Sequence, residues 1–268
     1  MIVFPNAKIN IGLDITARRP DGFHNIETVF YPVQLCDCLE FVENHQDVDR
    51  FETSGIAIPS DGKPNLVQKA LTKVREKYDV PPIDIHLLKH IPSGAGLGGG
   101  SADAAFMIKA LDEYFKLGMN NDLKLSMAAT LGSDCAFFIK NTPSFATGRG
   151  EVFDEIALKS DLNIVLVKPD VSISTPYAYS RVKPQTPQHS LRESVLKPVS
   201  QWRQLVKNDF EIFLFPEIPQ LATIKQLLYD NGAVYASMTG SGSAFFGIFD
   251  QEPVLHPELE KIRILRAL

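Results

Sequence analysis

Residues 92–102 read Pro92-Ser93-Gly94-Ala95-Gly96-Leu97-Gly98-Gly99-Gly100-Ser101-Ala102, directly after a strand-like apolar run at 83–91 and directly before a helix-like run that begins at or close to Ser101. Five glycines remove the Cβ atoms that would otherwise stop consecutive backbone N–H groups from turning toward one ligand, and they permit positive φ. The helix that follows adds its unpaired N-terminal N–H groups and the positive end of its dipole to the same spot. This is the build of a phosphate cradle. The plainer use of such a segment is a flexible linker, and the tight strand and helix flanks argue against it.

Two commoner phosphate motifs do not fit. A P-loop ends in Gly-Lys-Ser/Thr, whereas these glycines run into Ser101-Ala102-Asp103 with no lysine in reach. Gly94, Gly96 and Gly99 satisfy G-x-G-x-x-G, but a dinucleotide fingerprint belongs on the first strand of its domain and is followed about twenty residues later by an acid. The loop lies about ninety residues into the chain, and no acid about twenty positions on makes a convincing match.

The chain of 268 residues has material for two modest domains or one large one. With 44% hydrophobic residues and a mean hydropathy of −0.04 it reads as soluble and globular. Its longest apolar runs, at 135–139 and 164–167, are far too short for a membrane span, and residue 1 leads straight into a strand-like segment, so a cytoplasmic location is expected. The net charge of −5 and the scattered lysines and arginines give nucleic-acid binding little support. Three cysteines, Cys36, Cys38 and Cys135, lack metal-type spacing and are read as small buried thiols. No metal residue is assigned.

Alternation marks strands at 1–4, 7–16, 26–43 and 83–91, and places Lys8 and Asn10 on one strand face. Helical spacing marks 64–78, 101–117 and about 122–131. A polar turn holding Asp134 then interrupts two apolar runs. Strands are expected at 144–148 and 163–168, a Pro-rich polar excursion at 183–197, helices at about 199–208 and 218–231, a strand pair at 234–249 and a final helix from about Pro257. Such an order suits a split β-α-β arrangement on an antiparallel sheet, in an α+β protein whose domain boundary falls between 150 and 162.

Three segments together resemble the GHMP kinase superfamily, the small-molecule kinases of homoserine, mevalonate, galactose and relatives: the strand bearing Lys8, the glycine loop, and the MTGSGSA turn at 238–244. One branch is matched far better than the others. AKINIGLDITARRPDGFHNIETVF at 7–30, LGSDCAFFI at 131–139 and ISTPYAY at 173–179 resemble the kinases of 4-diphosphocytidyl-2-C-methyl-D-erythritol, and the similarity extends over essentially the whole chain. The resemblance implies a two-domain GHMP kinase fold: a ribosomal S5 domain 2-like N-terminal domain over 1–155 with the ATP-binding loop, and a ferredoxin-like C-terminal domain over 156–268. It also implies ATP-dependent phosphorylation of the tertiary 2-hydroxyl of that cytidine-diphosphate-linked sugar alcohol, a step of non-mevalonate isoprenoid synthesis. Mg²⁺ is expected with the ATP, and the protein is expected to be a monomer or weak homodimer.

Carried onto this sequence, the resemblance makes Asp134 the acceptor of the hydroxyl proton and Lys8 the group that orients the hydroxyl and faces the γ-phosphate. Residues 92–102 and Asn65 would hold ATP. Phe23, His24, Phe30 and Tyr179 would form a cytidine pocket, and Asn10 and Thr175 would touch the sugar-alcohol end. Relatives usually carry Tyr where Phe23 stands; phenylalanine keeps the ring face for stacking but has no hydroxyl to bond the ligand. Each residue also suits a plainer role: a turn or N-cap for Asp134, a solvent-reaching strand position for Lys8, a helix cap for Asn65, loop packing for Phe23, a carbonyl partner for His24, and satisfaction of backbone groups for Asn10 and Thr175. A mevalonate-type kinase, a catalytically dead sensor of the same fold and an S5-like nucleic-acid module are the competing readings. The 21–24 segment, the presence of both Lys8 and Asp134, and the pI near 5.7 speak against them in turn.

Overall fold

The computed structural model describes residues 1–59, 62–158, 162–251 and 253, and the backbone of 263–265. In chain order the strands and helices are β1 Ile2–Val3, β2 Asn6–Arg18, β3 His24–Cys36, β4 Cys38–Glu43, β5 Arg50–Gly55, α1 Leu66–Arg75, β6 Ile83–Lys89, α2 Gly99–Phe115, α3 Asn121–Leu131, α4 Cys135–Lys140, β7 Ser144–Thr147, β8 Val152–Glu155 and β9 Asn163–Lys168. The remainder is α5 Thr175–Arg181, α6 Leu191–Ser194, a 3₁₀ turn at Val199–Gln201, α7 Trp202–Leu205, α8 Asp209–Glu217, α9 Pro219–Asp230, β10 Tyr235–Met238, β11 Phe245–Phe249 and β12 Arg263–Leu265. They divide into two compact units, one of Met1–Ala7, Gln34–Ser93 and Gly98–Thr142, the other of Lys8–Val33, Gly94–Leu97 and Pro143–Leu268.

In the first unit a sheet of order β1-β4-β6-β5 carries helices α1 to α4. Strand β6 shows why it forms: Ile83, Ile85 and Leu87 are buried while His86 between them is exposed, the period of a half-buried strand. Helix α1 buries Val67, Ala70, Leu71 and Val74, the three-and-four spacing that aligns one face. Its start is fixed by a capping box, with Asn65 Oδ1 accepting from Val67 N at 2.9 Å and Gln68 Oε1 accepting from Asn65 N at 3.0 Å.

In the second unit two four-stranded sheets form, of order β2-β3-β7-β8 and β10-β11-β9-β12. The latter is antiparallel throughout and has the strand order of a split β-α-β sheet. One apolar core, including Leu13, Ile15, Val167, Phe210, Leu228, Met238 and Phe245, joins β2 to this sheet and its helices.

Several expectations are corrected. The run at 26–43 is two strands, because Asp37 leaves the ladder to bind backbone N–H groups elsewhere. Helix α2 begins at Gly99, ahead of Ser101, since Gly98 at φ 71° supplies the left-handed turn into it. The apolar run at 135–139 is the short helix α4. The helix at 199–208 stops at Leu205, where Val206 turns extended so that Leu13 N can donate to Lys207 O at 2.8 Å. Helix α8 has no counterpart among the expected elements; Asn208 caps it through Phe210 N at 3.0 Å, and Pro216 is tolerated in its last turn. The 183–197 excursion contains the single turn α6. The helix from Pro257 lies outside the described residues as far as 262, and 263–265 pair as a strand with β9. Cys135 is buried, but Cys36 and Cys38 are only half-buried. Among the described residues no helix is long and apolar enough to cross a membrane.

Candidate active site

Lys8 does not reach solvent. Its side chain lies within the second unit at 3% exposure, and Nζ donates to Asn10 Oδ1 at 2.6 Å, as the shared strand face requires. The ammonium also sits 4.7 Å from the centroid of the Phe30 ring, a cation–π distance. Asn10 is itself fixed: its amide donates to Thr28 Oγ1 at 3.0 Å, and the Thr28 hydroxyl donates in turn to Gly12 O at 2.5 Å. Thr28 holds this network together, yet nothing in its local sequence sets it apart.

The same unit brings the glycines at 94–97 onto the 238–244 turn. Thr239 Oγ1 accepts from Asn10 N at 3.0 Å and donates to Gly96 O at 3.1 Å. Lys8 N donates to Leu97 O at 2.9 Å, and Ala244 N to Ala95 O at 3.2 Å. Gly96 has φ 80°, and a Cβ there would overlap the Thr239 carbonyl oxygen, so glycine is required on both counts. Asn208 fastens the far side of the turn, using both amide hydrogens on Met238 O at 2.8 Å and Gly240 O at 2.9 Å. Sequence reasoning misses it too, although an Asn ahead of two acids is a helix-start signal.

The β2–β3 connection carries Phe23 and His24. Asp21 Oδ1 accepts from Phe23 N at 3.1 Å, and Gly22 turns the chain at φ 86°. Phe23 is 55% exposed, with the Arg149 guanidinium 4.9 Å from its ring centroid. His24 stacks on Tyr179 of α5 with centroids 5.1 Å apart, and Tyr179 meets Phe210 edge-on at 5.0 Å. Burial, followed by the charge of Arg18, lowers the His24 pKa and favours the neutral imidazole. Thr175 Oγ1 lies 3.1 Å from Ser241 Oγ. Phe30, by contrast, is a core residue at 2% exposure against Phe153.

In the first unit are Asn65, Pro92, Ser93, Gly98, Gly99, Gly100, Ser101, Ala102 and Asp134. Asn65 makes the helix cap described above. At the start of α2, Gly98 offers no side chain to cap the first N–H groups and the first turn has no acidic residue, the arrangement that favours an anion. Asp134 occupies the N-cap position of α4, but its side chain makes no capping hydrogen bond. Next to it, the buried Cys135 thiol is pushed up to about 11, chiefly by burial, with the Asp134 charge adding to the shift. Among the described residues no group of three His, Cys, Asp or Glu could hold a metal ion.

Comparison with known proteins shows the family. The family model for the GHMP kinases N terminal domain matches residues 65–142, and that for the GHMP kinases C terminal domain matches 193–263. A 4-diphosphocytidyl-2-C-methyl-D-erythritol kinase of Bacteroides fragilis is 52% identical over 94% of this chain and 93% of its own length. One from Thermoanaerobacter is 36% identical, covering 91% of this chain and 86% of its own. The crystal structure of a 4-(cytidine 5'-diphospho)-2C-methyl-D-erythritol kinase superposes with a TM-score of 0.77 at 30% identity, covering 93% of this chain and 90% of that one. The Methanococcus jannaschii mevalonate kinase shares the fold, at TM-score 0.71 and 13% identity over 98% of this chain and 96% of that one. The chain therefore belongs to the GHMP kinases and, within them, to the family of the 4-diphosphocytidyl-2-C-methyl-D-erythritol kinases.

Proposed function

We propose that the protein transfers the γ-phosphoryl group of ATP to the 2-hydroxyl of 4-diphosphocytidyl-2-C-methyl-D-erythritol, in the supply of non-mevalonate isoprenoid precursors. The observation that carries this reading is Lys8, a buried ammonium fixed on β2 by the 2.6 Å bond to Asn10, in a chain 52% identical to a kinase of that name. Phosphoryl transfer asks a protein mainly for alignment and charge stabilisation. Lys8 orients the hydroxyl and faces the γ-phosphate. Asp134 takes the hydroxyl proton as the new O–P bond forms and the bond to the ADP oxygen breaks.

Residues 92–102 cradle the ATP phosphates and Asn65 borders the nucleotide. Phe23, His24, Phe30 and Tyr179 hold the cytidine, while Asn10 and Thr175 hold the sugar-alcohol end. Mg²⁺ would be carried by the ATP phosphates and water, with hydroxyls such as that of Ser101 available to complete its ligands, and it would neutralise the charge on the transferred group. The protein works in the cytoplasm as a monomer or weak homodimer, on small molecules and not on nucleic acid. By this reading the functional domains are 1–155, with the ATP loop, and 156–268.

A coupled ADP assay tests this by comparing kcat/KM for the cytidylylated alcohol and for bare methylerythritol phosphate. The bare alcohol is expected to be phosphorylated very poorly, because remote binding energy is missing at the reacting centre. Equal values would remove the cytidine pocket and leave a generic GHMP kinase.

A further inference from the structure

Within the first unit, a buried ion cluster lies at the base of the glycine segment and is used by none of the roles above. Lys89, the last residue of β6, donates from Nζ to Asp37 Oδ2 and, at 2.8 Å, to Asp103 Oδ2. Asp37 Oδ1 also accepts from His90 N at 2.6 Å and Ile91 N at 2.9 Å, the last backbone donors before Pro92. Asp103 stands early in α2, four residues past its first residue, Gly99. All three side chains are at most 3% exposed. The strand that feeds the loop and the helix that receives it are therefore tied through one ammonium.

Stability alone is a poor account of this cluster. Well-packed apolar replacements of a buried ion triad are often neutral or stabilising, since desolvation offsets the attraction. Here two carboxylates face one cation, and Asp103 Oδ1 is buried with no hydrogen-bond partner among the described residues, a costly arrangement. Burial raises the Asp103 pKa accordingly. The cluster does fix geometry. A Cβ at Gly99 would lie 2.8 Å from Ile91 Cγ2 and 3.3 Å from Lys89 Nζ, so the first turn of α2 is seated directly on the end of β6 and on the ammonium.

We propose that Lys89, held between Asp37 and Asp103, is a positioning residue for the nucleotide: the triad fixes the span between the entry strand and the receiving helix and thereby sets ATP affinity. The inference rests on the reading of residues 92–102 as the ATP loop. It concerns ATP alone, and not the alcohol or the chemical step.

The test is Asp103→Ala, which cuts the tie to α2 and leaves Asp37 on His90 and Ile91. KM for ATP and the Kd of a non-hydrolysable ATP analogue are expected to rise about tenfold, the size of one charge-assisted hydrogen bond. KM for the alcohol and kcat should stay within about twofold, and Asp103→Asn, which keeps an acceptor for Lys89, should bring ATP back to within about threefold of wild type. An unchanged ATP KM and analogue Kd, or KM values that rise together for both substrates, would overturn the proposal. Should Asp103→Ala not fold, Asp103→Leu, which fills the space and leaves Lys89 paired with Asp37, is read in the same way. Absence of turnover on the cytidylylated alcohol by wild type sinks the proposed acceptor while the analogue Kd still judges the triad. A wild type that binds no ATP analogue sinks both.

Discussion

Alanine at position 96 should damage this protein far more than alanine at position 94, although both glycines belong to the same loop. Both sit at positive φ, 68° for Gly94 and 80° for Gly96, which costs a side-chain-bearing residue about 1–2 kcal/mol. At Gly94 nothing lies within 4 Å of an added Cβ, so that cost is the whole effect. At Gly96 the methyl would overlap the Thr239 carbonyl oxygen and lie 3.0 Å from its carbon, with Gly240 N at 3.5 Å. All three are backbone atoms, so no rotamer change relieves the overlap. Overpacking of this kind adds about 1–3 kcal/mol, giving about 2–5 kcal/mol in all. At about 2–4 °C per kcal/mol for a chain of this size, Gly96→Ala should lose about 4–20 °C in Tm and Gly94→Ala about 2–8 °C. The displaced segment also carries the Gly96 O to Thr239 bond and the Leu97 O to Lys8 N bond, so kcat/KM should fall with it in Gly96→Ala. Differential scanning calorimetry and the ADP assay on the two variants decide the matter. Equal Tm losses, or a Gly96→Ala protein of wild-type stability, would refute the argument.

Asp134→Asn should lower kcat by about 10²–10⁴ while ATP and alcohol binding change only a few-fold, because an amide keeps the shape but cannot take the proton. Near-wild-type turnover would remove Asp134 from the chemistry. Phe23→Ala should cost about 1–3 kcal/mol in kcat/KM for the cytidylylated alcohol and Phe23→Tyr should be tolerated, which steady-state kinetics on both variants checks. Asp14 is held up at about 7 by burial first and by Asp209 second, with Lys207 opposing and Glu27 adding. Its folded pKa exceeds the unfolded value of 3.8, so the native state loses stability as pH rises between the two and the loss is complete above about pH 7. At about 1.4 kcal/mol per unit the limit is about 4 kcal/mol, and solvent screening cuts it to about 1–2 kcal/mol. Asp14→Asn should therefore gain Tm over wild type at pH 8 relative to pH 5, and a pH-independent difference would show that Asp14 does not titrate in this window.

What the sequence revealed and what it hid follow different physics. Periodicity is a property of neighbours in the chain, so the strands through Lys8 and through Ile85, the helix with Ala70, Leu71 and Val74, and the presence of α9 within 218–231 were all legible. The face shared by Lys8 and Asn10 followed from the two-residue repeat and appears as a hydrogen bond. Helix α8 was hidden because apolar residues fall on every side of Asp209–Glu217 and Pro216 mimics a stop, which removes the helical stripe. For Asn65 the local signal told the truth about one role only: the capping box is there, and it leaves open what else the residue meets.

The residues that were missed share one property. Thr28, Asn208 and Asp37 each satisfy backbone groups of a segment far away in sequence, on Gly12, on Met238 and Gly240, and on His90 and Ile91. A polar side chain used in this way carries no motif, since its partners are amides that every residue has. Glycine turns create the need for it: a chain that takes positive φ at Gly12 and Gly240 abandons regular ladder bonding there, and buried carbonyls left behind must be bonded or pay for desolvation. Glycine motifs can thus be read from sequence, whereas their supports cannot. The same reasoning separates Asp134 from these residues. It stands at the N-cap position of α4 and makes no capping bond, so helix capping gives no reason for a carboxylate there, and Asp134→Asn should lower kcat by about 10²–10⁴ without the loss of a cap.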